Sequence, residues 1–154
     1  MRDSVLREMV RQEFLDKYYT LDFHSINIIK PIKKQYKISI CTNCMGRAES
    51  IKNTYIQNIE DNKDYPNVEF VLLNYNSKDD LDTWAYANLS KYIKSGILHY
   101  YKTEEPKYYS MTHSRNITFK LATVDIINNV DADHFTNKKF AEYINLLANQ
   151  EKDL

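Results

Sequence analysis

Two aspartates stand one residue apart in the run Val130-Asp131-Ala132-Asp133. On an extended backbone, residues two apart project to the same side with Cα atoms roughly 6.6 Å from each other, so both carboxylates address one ligand. Carboxylate oxygens are hard donors suited to Mg2+ or Mn2+. One of them can hold a metal shared with a diphosphate while the other receives a ribose hydroxyl or a metal-bound water. The same triplet is also what a plain turn with solvated acids looks like. His134 follows directly; it reaches metal or phosphate only if its neighbours converge, and is otherwise a surface histidine. Cys41-x-x-Cys44 offers a second chemistry, because a thiol at a helix entry has a lowered pKa and can exchange disulfides. The alternative places Cys41 in the core and Cys44 in a loop. A zinc site joining these cysteines to His24 or His113 lacks a second recognisable ligand pair. Gly46 and Gly96 are the only glycines, so neither a dinucleotide fingerprint nor a Walker loop can be written. A phosphate-bearing ligand then needs its positive charge from a metal held by acids.

These residues need a scaffold, and the hydrophobic pattern predicts one. Leu6, Met9, Val10 and Phe14 share the spacing of a helix face, so residues from about 3 to 19 read as an amphipathic helix. Pro31 and the lysines mark a linker to about residue 35, and the main domain spans 36–154. Strands are predicted at Lys37 to Cys41, Val68 to Leu73, Ile97 to Tyr101 and Val124 to Val130. Helices fall between them: one starting near Gly46 (Ala48, Ile51, Tyr55, Ile59), one carrying Leu81, Trp84, Ala85, Leu89, Tyr92 and Ile93 and closed by Gly96, and one capped by Ser110 and reaching about Thr123. A last helix shows Phe140, Tyr143, Ile144 and Leu147 on one face. Alternating strands and helices imply an α/β fold, a mainly parallel sheet of about four strands with helices on both faces. In such sheets ligands bind beyond the carboxyl ends of the strands. The residues there are Thr42 to Arg47, Asn74 to Asp79 and Asp131 to His134.

Composition narrows the partners. With 154 residues, 43% hydrophobic and 27% charged, the chain can bury one core. Lys plus Arg and Asp plus Glu balance at 21 each, so no net field attracts nucleic acid. The cluster Lys30, Lys33, Lys34 and Lys37 reads as a solvated linker. No apolar run is long enough to span a bilayer. Asp3, Glu8 and Glu13 interrupt the N-terminus, which excludes a signal-peptide core there and makes the cytoplasm the expected compartment. The N-terminal helix is a candidate homodimer contact. Tyr100, Tyr101, Tyr108 and Tyr109 are candidates to stack on a base or sugar, or to pack half-buried.

Four segments occur in order: Ser39-Ile40-Cys41-Thr42-Asn43-Cys44-Met45-Gly46-Arg47, Phe70 to Asp79, His113-Ser114-Arg115-Asn116, and Val130-Asp131-Ala132-Asp133. Over about Lys37 to Asn149 the chain resembles family-2 glycosyltransferases. The resemblance implies a GT-A, Rossmann-like fold that binds a nucleotide-diphosphate sugar, a uridine diphosphate sugar in our reading, with Mn2+ or Mg2+ for inverting transfer to an acceptor hydroxyl. Carried over residue by residue, it implies that Thr42, Asn43, Arg47, Asn74, Asn76, Arg115, Asn116 and Asp131 contact the nucleotide-sugar. Asp133 is then the metal ligand, with Asp131 on ribose or metal. Asn74 departs from the family's usual Asp and brings no negative charge. The family's base carboxylate lies well beyond the triplet, whereas 21 residues follow Asp133, and Glu142, Glu151 and Asp153 match no family motif. The catalytic base is therefore expected outside this chain, and the alternatives are a noncatalytic nucleotide-binding or assembly module and a thiol redox protein.

Overall fold

A computed structural model describes residues 34–150. The helix expected over 3–19 and most of the linker lie outside the described residues. Strand β1 (Ile38–Cys44) is buried along its whole length because it is central: it pairs in parallel with β2 (Val68–Tyr75) on one side and β4 (Ile126–Asn129) on the other. β3 (Leu98–Thr103) extends the sheet beyond β2, giving the order β3-β2-β1-β4. The four-stranded parallel sheet is the one the sequence predicts.

Side-chain alternation along the strands assigns each helix to a face. Ile38, Ile40 and Cys44 of β1 join Phe70, Leu72 and Leu98 in the main core, beneath Ile51, Tyr55 and Ile59 of α1 (Ala48–Asn62). Full burial of each such aliphatic or aromatic side chain contributes about 1.5–3 kcal/mol. The intervening Cys41 and Asn43 meet α4 (Met111–Leu121) on the opposite face, where the Ser114 hydroxyl donates to Asn43 Oδ1 at 3.0 Å. Helices therefore cover both faces. As expected, Ser110 caps α4 by accepting the His113 amide, and Gly96 takes the left-handed conformation (φ +80°) after the helical turn Ser90–Lys94.

Three expectations change. β1 and β2 run to Cys44 and Tyr75, so Thr42, Asn43, Cys44 and Asn74 are strand residues and not loop residues. The helix read over Leu81 to Ile93 is two, α2 (Leu81–Asn88) and α3 (Ser90–Lys94), which meet at the buried Leu89 (φ −100°, ψ −2°). In α5 (Phe140–Gln150), Phe140 and Ile144 pack on the core as expected, but the buried residues are Ala141, Asn145, Leu146 and Ala148, and Leu147 is exposed. Polar side chains of the same helix hold the chain before β1: Asn145 accepts the Tyr36 amide at 3.0 Å, and Asn149 both accepts from and donates to the Lys34 backbone. No helix among the described residues is long and apolar enough to cross a membrane.

Candidate functional site

The chain leaves β1 towards β2 and β3 on one side, then returns to place β4 on the other. The reversal puts the switch point of the sheet at the carboxyl ends of β1 and β4, the usual ligand position in open α/β sheets. There the Thr42 hydroxyl donates to the Val130 carbonyl at 2.9 Å, and the Val130 amide donates to Cys41 O at 2.9 Å. Thr42 is thereby buried and committed to holding β1 against β4, so it does not present a free hydroxyl.

Asp131 and Asp133 follow directly, but not on extended backbone. The His134 amide donates to Asp131 O at 3.0 Å, closing a turn that separates the two carboxylates' partners. Asp131 Oδ1 accepts from Arg115 at 2.8 Å and from Asn129 at 2.9 Å. Partial burial alone would raise the Asp131 carboxyl, yet the bonds from Asn129 and Arg115, with the guanidinium charge, outweigh it and hold it below the ordinary carboxylate range. Asp133 faces Arg47 at 3.8 Å and His134 at 4.0 Å. Both side chains stay open to solvent, Asp131 at 44% and Asp133 at 53%. Asn116, one residue after Arg115 on α4, is also exposed.

The polar residues at the ends of β1 and β2 are mostly spent on each other. Asn74 is fully buried; its amide donates to Tyr100 Oη at 3.1 Å and its oxygen accepts the Ser77 amide at 2.8 Å. Tyr100 in turn donates to Asp82 at 2.8 Å, so the negative charge missing at Asn74 stands one hydrogen bond further out. Asn76, at φ +55°, donates to Pro106 O and pins the segment after β3 across the strand ends. Asn43 Oδ1 receives both Ser114 and the Tyr109 hydroxyl at 3.0 Å. Tyr109 also packs edge-on against Tyr75 and keeps half its surface exposed.

The family model for glycosyltransferase-like family 2 matches residues 40–152. The chain belongs to this family. Among solved structures, a mannosyltransferase from Pyrobaculum calidifontis in complex with GDP-mannose and Mn2+ superposes with a TM-score of 0.61 at 21% identity, over 79% of this chain and 36% of that one. The chain thus spans about a third of that mannosyltransferase, and the likeness carries the GT-A fold. No curated protein matches significantly.

A divalent metal fits the donor set of this glycosyltransferase domain in one respect: Asp133 and Asp131 are accessible oxygen ligands of the kind Mg2+ and Mn2+ prefer. No cluster of three or more His, Cys, Asp or Glu exists among the described residues, so phosphate oxygens and water would supply the remaining ligands. Several supporting residues carry no sequence signal of their own. Asp79 accepts the Ala48 amide at 2.9 Å and the Leu81 amide at 3.2 Å, serving the first turns of α1 and α2 together, while Ser77 accepts Gly46 N at 2.6 Å. Only their position after β2 hinted at a role. Thr54, Asn58 and Asn62 of α1 are buried and reach the segment after β4; their spacing of four along one helix was the available signal.

The redox reading does not survive the geometry. Cys41 and Cys44 lie three apart on one strand, on opposite faces of the sheet, and roughly 10 Å of extended chain separates their Cα atoms, beyond disulfide reach. Both are buried, and burial pushes Cys41 up to about 12 and Cys44 up to about 11. Native protein at pH 8 should react with neither Ellman's reagent nor iodoacetamide, and both thiols should appear in denaturant. Since both folded values exceed the unfolded one, the thiols favour the fold below about pH 9. That contribution declines as pH rises towards 11, which a urea midpoint series from pH 8 to 11 will display.

Proposed function

We propose that this chain binds the donor of an inverting glycosyltransferase, a nucleoside diphosphate-sugar of the uridine type, at the carboxyl ends of β1 and β4. The exposed groups do the direct work in this reading. Asp133, assisted by Asp131, holds Mn2+ or Mg2+ against the diphosphate, Arg47 and Arg115 face its phosphates, and Asn116 adds an amide at the rim. Thr42, Asn43, Asn74 and Asn76 form the wall that fixes the strand ends, and Tyr109 offers its open face to the base. The observation that carries this reading is the juxtaposition of two solvent-accessible carboxylates with two arginines at the sheet's reversal point.

In the complete reaction an acceptor hydroxyl attacks the anomeric carbon from the side opposite the leaving group. The new C–O bond forms as the bond to the diphosphate oxygen breaks, inverting the configuration, and the acceptor proton passes to a carboxylate base. When bound, the metal offsets charge developing on the diphosphate. Glu142 is not that base in our reading: it borders a depression with Glu60 and Asp61 at the far end of α1, away from the carboxyl ends of the strands. Two buried free cysteines fit a reducing compartment such as the cytoplasm.

Calorimetry with UDP and GDP, each with and without MnCl2, tests the donor site. Binding that requires Mn2+ supports it, UDP tighter than GDP supports the uridine assignment, and no binding by either nucleotide removes the reading. Release of free nucleotide from a panel of sugar donors then separates a turning-over enzyme from a binding module.

A further inference from the structure

We propose that a buried polar stripe on α1, Thr54–Asn58–Asn62, is a positioning device that aims the acidic triplet and so sets the divalent-metal affinity of the site. The inference rests on the donor-site reading above.

The three side chains recur every four residues and therefore lie along one helix face. All are buried, and each holds the chain that descends from β4. Thr54 donates to Ala132 O at 2.7 Å. Asn58 donates to His134 O and accepts the Thr136 amide, both at 2.9 Å. Asn62 donates to Thr136 Oγ1 at 2.8 Å and accepts the Ala141 amide at 2.9 Å. The rungs thus meet residues 132, 134 and 136, every second position. Below the turn this spacing is natural: four helical residues rise about 6 Å, close to the roughly 6.6 Å that two extended residues span.

The top rung acts on the site. Ala132 lies between the two aspartates, its side chain is buried, and its carbonyl is turned inward onto Thr54. With that peptide anchored, the flanking Asp131 and Asp133 are the side chains left facing solvent. Without the Thr54 hydroxyl the Ala132 peptide can rotate, and Asp133 is free to follow its exposed partner Arg47 instead of holding one direction. An apolar face at Thr54, Asn58 and Asn62 would bury as much surface with no such control over direction. Outer-shell hydrogen bonds that orient ligands typically alter metal affinity 10–100-fold when removed.

The test uses the full chain and compares Thr54→Val, which keeps shape and loses the hydroxyl, with Thr54→Ser, which keeps the hydroxyl. Ile59→Val serves as a control of comparable stability loss in the core, away from the loop. Mn2+ affinity is read by electron paramagnetic resonance of free Mn2+ in the presence of UDP or GDP, beside metal-free nucleotide affinity and urea midpoints. We expect Thr54→Val to weaken Mn2+ binding about tenfold while metal-free nucleotide affinity holds, Thr54→Ser to stay within about twofold, and Ile59→Val to leave Mn2+ affinity unchanged. Wild-type Mn2+ affinity in Thr54→Val, or an equal loss in Ile59→Val, overturns the positioning role while leaving the donor site standing. A wild-type chain that takes no Mn2+ with either nucleotide overturns both.

Discussion

Asp133→Ala should lower Mn2+-dependent nucleotide affinity at least about 100-fold, or ~2.7 kcal/mol, while moving the urea midpoint little. The two halves of that expectation have separate causes. Asp133 is half exposed, and its contacts to Arg47 and His134 are long and solvated, so its removal costs the fold no more than about 0.5 kcal/mol. Its value lies in a hard oxygen ligand at the switch point, which no neighbouring carboxylate replaces, since Asp131 already serves Arg115 and Asn129. Asp131→Ala should behave differently. It strands the Arg115 guanidinium, whose Nε is buried without a partner, and so should cost stability as well as affinity. The Asp131 carboxyl also has a pH signature. Its folded value is depressed, so its contribution to stability is present above the unfolded value of about 3.9 and is lost as pH falls through the folded one. Nucleotide binding should therefore keep an ionised Asp131 throughout the neutral range. Calorimetry with UDP and MnCl2, paired with denaturation curves, reads all of this. An Asp133→Ala protein that binds metal and nucleotide as the wild type does would remove the metal assignment.

How much of this was legible beforehand divides along a physical line. The sheet was legible because parallel strands buried on both faces leave dense apolar runs, such as Phe70-Val71-Leu72-Leu73, and because Ser110 and Gly96 punctuate helices by local chemistry. Strand ends are illegible where polar residues continue a central strand. Thr42, Asn43 and Asn74 look like loop, yet each is buried because a partner from another element satisfies it: Val130 O, Ser114 and Tyr100. Periodicity cannot show a partner 26 to 88 residues away. The aspartates were legible as a pair, but their geometry was not, because a turn and not an extended strand sets their directions. The same limit hides Asn145 and Asn149, whose partners are the backbone of residues 34 and 36, more than 100 positions away.

The lowest rung of the α1 stripe shows how far such satisfied polar groups matter to the fold. Asn62 is buried, and one side-chain amide serves four groups: its two amide protons are shared among Asn58 O at 3.1 Å, Thr136 Oγ1 at 2.8 Å and Asn137 O at 3.2 Å, and its oxygen accepts the Ala141 amide at 2.9 Å. Ala141 stands in the first turn of α5, where helix amides have no partner of their own, so Asn62 in effect caps a second helix from across the core. Asn62→Ala leaves these groups short of partners in a buried place, and each unsatisfied buried group costs about 1–3 kcal/mol. Asn58 still holds Thr136, and water can reach part of the space, so the net loss should be ~3 kcal/mol, seen as a fall in melting temperature of roughly 10 °C. Asn62→Asp should do no better: it keeps the acceptor for Ala141, loses every donated bond, and buries a charge near Asp61. A loss below about 1 kcal/mol in Asn62→Ala would mean that the descending segment is held by apolar packing, and that the hydrogen bonds merely accompany it.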